Sequence, residues 1–266
     1  MKRDLHGRRI LLTGASSGIG QTLAEQLAHR GARLVLAARS LEKLQAIAAS
    51  LTNAGCDVTA TATDVTSAGD RQHALDLAAK QLGGLDVLIN NAGIGSFGHF
   101  AECTESILRQ IMEVNFFAPA ELIRLAIPLL KESPQAAIVN VASMCGRRGM
   151  PAWSEYSASK FALVGLGESL RAELAHCNID VVVILPGLTR SDLGRHLLRN
   201  TGRMEIRFDQ GMPPATVAAG IIRALVKRRP EAVLGSEARW MLRLNRWVPR
   251  ILDYLIARKI KQLYAT

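Results

Sequence analysis

Short apolar runs alternate with helical patterns along most of the chain. The runs are largely continuous, as in residues 181–185, and do not alternate between apolar and polar side chains. Continuous runs are typical of parallel strands that are buried on both faces. We therefore predict strands at residues 8–13, 33–38, 57–63, 85–90, 136–142, 179–185 and 231–234.

Segments with helical periodicity fill the gaps between these runs. We predict helices at residues 18–30, 40–53, 66–82, 104–131, 154–176 and 214–228. Alternation of strand and helix indicates an α/β fold with a doubly wound parallel β-sheet, a Rossmann fold, in a single domain. Ligands of such sheets bind beyond the carboxyl ends of the strands, so candidate site residues should follow the strands.

Two segments depart from this alternation. Residues 187–213 contain four glycines, end at a Pro-Pro pair beginning with Pro213, and show no clear periodicity, and we predict that this long irregular segment is a substrate lid. Residues 236–266 come after the last predicted strand. We divide the chain into a Rossmann-fold domain, residues 1–235, and a basic amphipathic helical C-terminal extension, residues 236–266.

Composition narrows the class of protein. The chain has 266 residues, of which 48% are hydrophobic and 5% aromatic, and this balance suits one large α/β core. No run approaches the ~18 apolar residues of a transmembrane helix. Residues 1–9 are charged, unlike a signal peptide, so we expect a cytoplasmic protein. The four cysteines are scattered and the six histidines lack ligand spacing, so we expect no metal.

A glycine-rich turn, Thr13-Gly-Ala-Ser-Ser-Gly-Ile-Gly20, follows the first predicted strand and leads into a helix. Gly14, Gly18 and Gly20 allow the turn to close and its backbone N–H groups to approach a pyrophosphate. The N-terminus of the helix adds partial positive charge. A turn of this kind is weak evidence alone, because some such sequences are only tight turns.

Further motifs follow the turn in chain order. They are Asn90-Asn-Ala-Gly93, Asn115, Ser143, and Tyr156 with Lys160 four residues later. Together with the glycine-rich turn, they resemble the short-chain dehydrogenase/reductase family over about residues 8–235. The resemblance implies an oxidoreductase that transfers a hydride between a nicotinamide cofactor and a carbonyl or alcohol carbon. It also implies a homo-oligomer, a dimer or tetramer, formed through long helices.

The spacing of Tyr156 and Lys160 places both side chains on one face of a helix. A free tyrosine has a pKa near ~10, and a nearby ammonium favours the phenolate, so Tyr156 is a candidate general acid or base. The resemblance implies that Lys160 also binds the cofactor ribose, that Ser143 donates to the substrate oxygen, and that Asn115 positions a water in a proton relay. Taken singly, each residue has an ordinary structural alternative.

The second predicted strand ends in Ala38 and Arg39, without the acid that NAD-binding sites of this fold use. A guanidinium can bind a 2′-phosphate through two charge-assisted hydrogen bonds, so we predict NADP(H). The alternative is that Arg39 is only a surface residue and that NAD(H) is used. Ser40 is either a helix N-cap or a second phosphate donor.

The resemblance assigns the remaining cofactor contacts. Asp64 and Val65 look like the adenine-contacting pair, and residues 186–189 look like the segment beside the nicotinamide carboxamide. The full predicted cofactor-binding set is Gly14, Ser16, Ser17, Gly18, Ile19, Gly20, Arg39, Ser40, Asp64, Val65, Asn91, Ala92, Gly93, Tyr156, Lys160, Pro186, Gly187 and Thr189.

The residues predicted to surround the substrate indicate its chemistry less specifically. Several large apolar residues suggest an apolar pocket, although helix packing is an equal use for them. These residues are Phe97, Phe100, Met144, Met150 and Trp153. Arg147 and Arg148 either meet an acidic substrate group or lie in a solvated loop.

The formal charge of +10 is concentrated at the two ends. Residues 236–266 hold seven Arg or Lys against two acids, and residues 1–9 hold four against one. The extension also carries an apolar stripe, and Pro249 should begin a second helix in it. The stripe is Trp240, Leu244, Trp247, Val248, Ile251 and Leu255. A basic amphipathic helix with tryptophan is typical of an interfacial membrane anchor.

The extension has other uses: packing on the protein's own body, contact with a second subunit, or another partner. We expect no nucleic acid, because no known binding module accompanies the charge. If residues 236–266 touch the inner face of a membrane, then sterols, retinoids and long acyl chains become attractive substrates. We predict an NADP(H)-dependent oxidoreductase acting on a carbonyl or secondary alcohol. The alternatives are a non-catalytic NADP(H) sensor or a membrane-recruited interaction protein.

Overall fold

Seven strands form the sheet of the computed structural model, which describes residues 2–264. The strands are β1 Arg9–Thr13, β2 Arg33–Ala38, β3 Val58–Ala62, β4 Val87–Asn90, β5 Ala137–Val141, β6 Asp180–Pro186 and β7 Glu231–Leu234. All pair in parallel, in the order β3-β2-β1-β4-β5-β6-β7. The order reverses at β1, so the crevice beyond β1 and β4 is the expected ligand position.

Helices cover both faces of this sheet. They are α1 Gly18–Ala28, α2 Leu41–Asn53, α3 Ala68–Leu82, α4 Glu105–Met112, α5 Ala118–Lys131, α6 Ser154–Glu173, α7 Pro214–Val226, α8 Ser236–Trp247 and α9 Pro249–Tyr264. Ile10 and Leu12 of β1 join the core formed with α1, α2 and α7, whereas Leu11 joins the core formed with α3 and α5. The predicted doubly wound α/β fold is confirmed, because successive strand residues are buried on opposite faces.

One predicted helix, residues 104–131, is divided. A π-helical turn, Glu113–Phe117, separates α4 from α5, and the Ala118 N–H donates to the Glu113 carbonyl oxygen. The prediction missed this turn because one inserted residue hardly disturbs helical periodicity. Such turns are frequent at functional sites, and this one contains Asn115.

The predicted lid is irregular but held at several points. Two short 3₁₀ turns, Asp192–Arg195 and Phe208–Gln210, interrupt it. Bridges pair Phe97 with Asn200 and Thr189 with Met212. Residues 187–213 therefore fold back over the carboxyl edge of the sheet.

The C-terminal extension consists of α8 and α9, and α9 begins at Pro249 as predicted. Arg148 joins both helices to the body, because its Nη1 donates to Asn245 Oδ1 at 2.9 Å and its Nη2 donates to Asp253 Oδ1 at 2.5 Å. Arg147 pairs with Glu231 and Glu168. The two guanidinium groups thus contact acidic side chains of the protein instead of extending into solvent, and the predicted contact with an acidic substrate group stays a prediction.

The basic residues at the two ends differ in their surroundings. Arg3 is buried and donates to Asp180 Oδ2 at 2.8 Å and to the Ala136 carbonyl oxygen at 2.9 Å. Arg9 pairs with Asp86 at 2.7 Å. The N-terminal arginines are thus part of the body of the protein. Within residues 2–264, no helix is both long enough and apolar enough to cross a bilayer.

Candidate active site

The glycine-rich turn lies between β1 and α1, at the reversal of the strand order. Gly14 has φ +65°, and a Cβ there would lie 2.8 Å from the backbone of Ala92. A Cβ on Gly20 would overlap the carbonyl oxygen of Gly14. Gly18 has φ +54°, a conformation that other residues rarely adopt. The turn can close only with glycine at these positions.

This turn fits the pyrophosphate of a dinucleotide. Ser17 occupies the N-cap position of α1, yet its side chain makes no capping bond, and the first turn of α1 contains no acid. Ser16, Ser17, Gly18 and Ile19 are all partly exposed. The N–H groups of the first helical turn, the Ser17 hydroxyl and the helix dipole together favour a phosphate at this end of α1.

Asn91 holds the turn in place. Its Nδ2 donates to the carbonyl oxygens of Thr13 at 3.1 Å and of Gly14 at 3.0 Å. The Thr13 hydroxyl in turn accepts from the backbone N–H groups of Asn91 and Ala92. The structure therefore places the Asn91 side chain against the glycine-rich turn, where it fixes the backbone that a cofactor would meet.

The ribose end of the site follows β2 and β3. Arg39 is exposed, and Ser40 stands before α2 without a side-chain capping bond, so its hydroxyl is free to bind a ligand. Asp64 accepts two hydrogen bonds from Thr66, and these bonds lower the pKa of its carboxyl, assisted by the charge of Arg39. Val65 follows Asp64 and is partly exposed. Arg39 and Asp64 thus lie on the same side of the sheet edge.

The predicted catalytic residues meet beyond β5 and at the start of α6. Ser143, Tyr156 and Lys160 are all at most 9% exposed. Lys160 Nζ lies 5.7 Å from the centre of the Tyr156 ring and donates to the Val141 carbonyl oxygen at 3.2 Å. The structure therefore brings the phenol, hydroxyl and ammonium groups into one buried cluster, as their spacing predicts.

Burial decides the protonation of this cluster. Desolvation raises the pKa of Tyr156, Cys145 raises it further, and a hydrogen bond with Ser143 opposes the rise. Desolvation also lowers the pKa of Lys160 to about 8. The pKa of Tyr156 is therefore shifted upward, opposite to the lowering predicted from the neighbouring ammonium, because desolvation of the buried phenol is the largest cause.

Asn115 lies in the π-helical turn and is fully buried. Its Oδ1 accepts from the Ile94 N–H at 3.0 Å, and its Nδ2 donates to the Ile94 carbonyl oxygen and to Ser159 Oγ, both at 3.0 Å. A Cβ on Gly93 would lie 3.2 Å from Asn115 Oδ1 and 3.4 Å from Lys160 Nζ. The Asn115 side chain thus joins α6 to the segment after β4, and both its N–H donors are used by protein groups.

The segment after β6 borders the same crevice. Pro186 ends β6, and the Gly187 N–H donates to the Leu234 carbonyl oxygen at 2.9 Å. Thr189 is buried, and its hydroxyl donates to the Gly187 carbonyl oxygen at 3.0 Å. A Cβ on Gly18 would lie 3.4 Å from Ser191. The lid therefore starts beside the glycine-rich turn.

An aromatic wall stands beside Tyr156. The ring centre of Trp153 lies 5.3 Å from those of both Phe97 and Tyr156, and 6.5 Å from that of Phe208. Phe100 is 55% exposed, whereas Phe97 is buried in this wall. Sequence reasoning missed Phe208 because nothing in the lid sequence distinguishes it from a surface residue.

A buried ion pair connects the lid to α6. Arg199 Nη2 lies 2.9 Å from Glu155 Oε1, and the two side chains are 8% and 0% exposed. Ser96 Oγ donates to the same carboxylate at 2.5 Å, and Arg199 Nη1 donates to the His99 carbonyl oxygen. Glu155 directly precedes Tyr156, so this pair fixes the lid against the turn of α6 that carries Tyr156. Neither partner carries a sequence signal.

A sequence model of the family described as short chain dehydrogenase matches residues 8–201. The chain belongs to this family. Dehydrogenase/reductase SDR family member 7B of Bos taurus is 32% identical to it over 249 residues, which cover 89% of this chain and 76% of that protein. The protein is therefore an oxidoreductase that uses a nicotinamide cofactor.

Solved structures of the short-chain dehydrogenase family resemble this one closely. A family member from Burkholderia phymatum in complex with NAD has a TM-score of 0.84 and 26% identity, covering 94% of this chain and 96% of that chain. A short-chain dehydrogenase from Sphingobium yanoikuyae in complex with NADPH has a TM-score of 0.77 and 30% identity, covering 92% and 95%. Among residues 2–264, no three His, Cys, Asp or Glu side chains are grouped to hold a metal ion.

Proposed function

We propose that this short-chain dehydrogenase is an NADP(H)-dependent enzyme that reduces the carbonyl group of an apolar, lipid-like ketone or aldehyde to the corresponding alcohol. The observation that carries the proposal is the buried cluster of Ser143, Tyr156 and Lys160 beside an aromatic wall. Sterols, retinoids and long acyl chains are the substrate classes that such a wall suits.

The chain's own residues support the proton transfer. NADPH, when bound, supplies the hydride. The raised pKa of Tyr156 keeps its phenol protonated at neutral pH, so it can donate a proton to the substrate oxygen. The Ser143 hydroxyl can donate a hydrogen bond to that oxygen as charge develops on it. Below about pH 8, Lys160 retains an ammonium that can bind the ribose hydroxyls.

The proposed preference for NADP(H) is supported by the residues after β2. Ala38 occupies the position where an acid would hold the 2′-hydroxyl, and the Arg39 guanidinium is exposed beside it. Ser40 offers a free hydroxyl one residue later. A 2′-phosphate could therefore accept bonds from Arg39 and Ser40, whereas an NAD ribose would find no carboxylate there.

The proposed substrate class is supported by the lid. A Cβ on Gly95 would lie 2.8 Å from the Leu197 side chain and 3.6 Å from that of Leu193. These lid leucines join Trp153 and Phe208 in forming an apolar surround for the substrate. Apolar side chains of this kind favour long or ring-shaped hydrocarbons over sugars and acids.

We propose a homo-oligomer, in keeping with the family resemblance. Phe117 and Phe161 are 49% and 44% exposed, on the π-helical turn and on α6. Exposed aromatic side chains on neighbouring helices suit a contact with a second copy. The cytoplasmic location remains a prediction from the sequence.

The test is the decay of NADPH and NADH absorbance with pools of ketones and aldehydes that include sterol, retinal and long-chain compounds. We expect consumption with NADPH, at least tenfold faster than with NADH, and only in the apolar pools. Short hydrophilic carbonyls serve as the matched control pools. Consumption that prefers NADH would contradict the Arg39 argument. Tight NADPH binding without consumption in every pool would favour a sensing role.

A further inference from the structure

An arginine-lined hollow lies at the β7 edge of the sheet, outside the candidate active site. It encloses about 750 Å³ between α7, β7 and α8. Six arginines line it: Arg147, Arg223, Arg229, Arg239, Arg243 and Arg246. Such a concentration of one charge around a single concave surface is unusual for a folded protein, because like charges repel.

The acidic residues that line this hollow do not neutralise its arginines. Glu231 is the only acid in the lining, and its Oε2 lies 2.6 Å from Arg147 Nη2. None of the other five arginines forms an ion pair with an acid in the part of the chain that the structure describes. Arginine stays charged at neutral pH. Five unneutralised guanidinium groups therefore face one hollow.

The same face of α8 carries exposed tryptophan. At 100° per residue, Arg246, Arg239, Arg243, Trp247 and Trp240 occupy one continuous arc of roughly 120° of the helix. Trp240 is 64% exposed and Trp247 is 77% exposed. Large apolar rings left in water next to uncompensated positive charge indicate a partner that is both anionic and apolar.

We propose that this face of α7, β7 and α8 binds the surface of an anionic phospholipid bilayer. The arginines would bind headgroup phosphates, which match the guanidinium geometry with two hydrogen bonds. Trp240 and Trp247 would lie at the level of the headgroups, where amphipathic rings are most stable. A soluble phosphate compound would neutralise the arginines but leave both indole rings in water. The proposal does not depend on the catalytic proposal.

One face of α9 packs on the body of the protein, and its other face is exposed. Leu252 is buried and Ile256 is partly buried, whereas Ile251, Tyr254 and Leu255 are more than half exposed. The two uses considered for residues 236–266, membrane contact and self-packing, therefore fall on different faces of the same helices. Self-packing holds the extension on the body, and the outward faces stay available.

The test is co-sedimentation of the full chain with vesicles of phosphatidylcholine alone and with 30% phosphatidylserine. We expect binding only with phosphatidylserine, weakened at high salt. Each arginine near an anionic surface contributes about fivefold to partitioning. The triple variant Arg239→Gln, Arg243→Gln, Arg246→Gln should therefore lose about a hundredfold in affinity.

A matched control removes the same charge elsewhere. Lys43, Lys80 and Lys131 are exposed, on α2, α3 and the last residue of α5. Their triple change to Gln should alter binding by less than about fivefold, because exposed charges beyond a Debye length are screened. Circular dichroism and NADPH binding of each variant should match the parent, since none of these residues belongs to the active site.

The tryptophans provide a second, independent variant. The change Trp240→Ser with Trp247→Ser should weaken binding at high salt, and lipids brominated on the acyl chain should quench the parent's fluorescence more than that of this variant. Equal binding of both triple variants would overturn the proposal. Tight binding of inositol hexakisphosphate or duplex DNA, without binding to vesicles, would also overturn it by showing a soluble polyanion or a nucleic acid as the partner.

Discussion

Removing the Arg199 guanidinium should open the lid without unfolding the protein. The change Arg199→Met keeps an unbranched side chain but leaves Glu155 with Ser96 as its hydrogen-bond partner at Oε1. It also removes the bond to the His99 carbonyl oxygen, 2.8 Å long. Because the lid segment itself carries Arg199, the structure can relieve the unpaired carboxylate by moving the lid away and admitting water.

The size of the effect follows from burial. The two side chains are 8% and 0% exposed, so the pair is fully withdrawn from solvent. Removing one partner of a buried ion pair costs about 3–5 kcal/mol. If the lid absorbs this cost by opening locally, its opening should become favoured by about two to three and a half orders of magnitude, at about 1.4 kcal/mol per tenfold.

Hydrogen exchange at single amides measures this opening. The Phe97 N–H donates to the Arg199 carbonyl oxygen, Leu198 donates to Gly95, and Thr201 donates to Phe97, each at 2.9 Å. In Arg199→Met these three amides should exchange at least about a hundredfold faster, while amides of the central strands should keep their rates. NADPH-dependent turnover should show a raised KM for the carbonyl substrate.

Arg195→Met is the matched control for this experiment. Arg195 lies in the same lid, but its side chain is 82% exposed and its contact to Asp192 is 3.5 Å long. Exposed pairs contribute about 0–1 kcal/mol, so lid exchange should change by less than about fivefold. The double variant Arg199→Met, Glu155→Gln should recover much of the protection because no buried charge is left unpaired. Unchanged lid exchange in Arg199→Met would refute the reasoning.

Three further outcomes follow from the site. Arg39→Asp should lower the NADPH/NADH ratio of kcat/KM by about 10- to 100-fold and so reverse the cofactor preference, because charge-assisted bonds to a 2′-phosphate are replaced by repulsion. An unchanged ratio would show that Arg39 does not bind the cofactor. The Kd for NADPH should rise between pH 7 and pH 9.5, because the pKa of Lys160 is lowered to about 8 and its charge is present below that pH and lost above it. Lys160→Met should abolish this dependence, and a parallel rise in the variant would contradict the assignment. Gly20→Ala should lower Tm by several degrees because its Cβ would overlap the Gly14 carbonyl oxygen, whereas Gly149→Ala, with no atom within 4 Å of its Cβ, should leave Tm unchanged.

Sequence reasoning succeeded where the chemistry depends on local spacing. The glycine-rich turn, and Tyr156 with Lys160, are defined by separations of a few residues, and helix geometry then fixes which side chains meet. The alternation of continuous apolar runs with helical patterns gave the doubly wound sheet, because strands buried on both faces need such runs.

Sequence reasoning failed where a structural feature depends on contacts between residues that are distant in the chain. Glu155 and Arg199 are separated by 44 residues, and neither belongs to a pattern. Phe208 reaches Trp153 only because the lid folds back. The direction of the Tyr156 pKa shift depends on how much water is excluded, which residue spacing does not encode. Similarly, the π-helical turn at Asn115 leaves no mark on the apolar periodicity.

The most direct test of the central claim is single-turnover transfer of deuterium from NADPH labelled at C4 to the carbonyl compound found by the substrate panel. The wild-type protein should deliver the label to the carbonyl carbon, and Tyr156→Phe should do so about 10²- to 10⁴-fold more slowly. The Kd for NADPH should be nearly the same in both proteins. Equal rates of label transfer would show that Tyr156 is not the proton donor and would contradict the account.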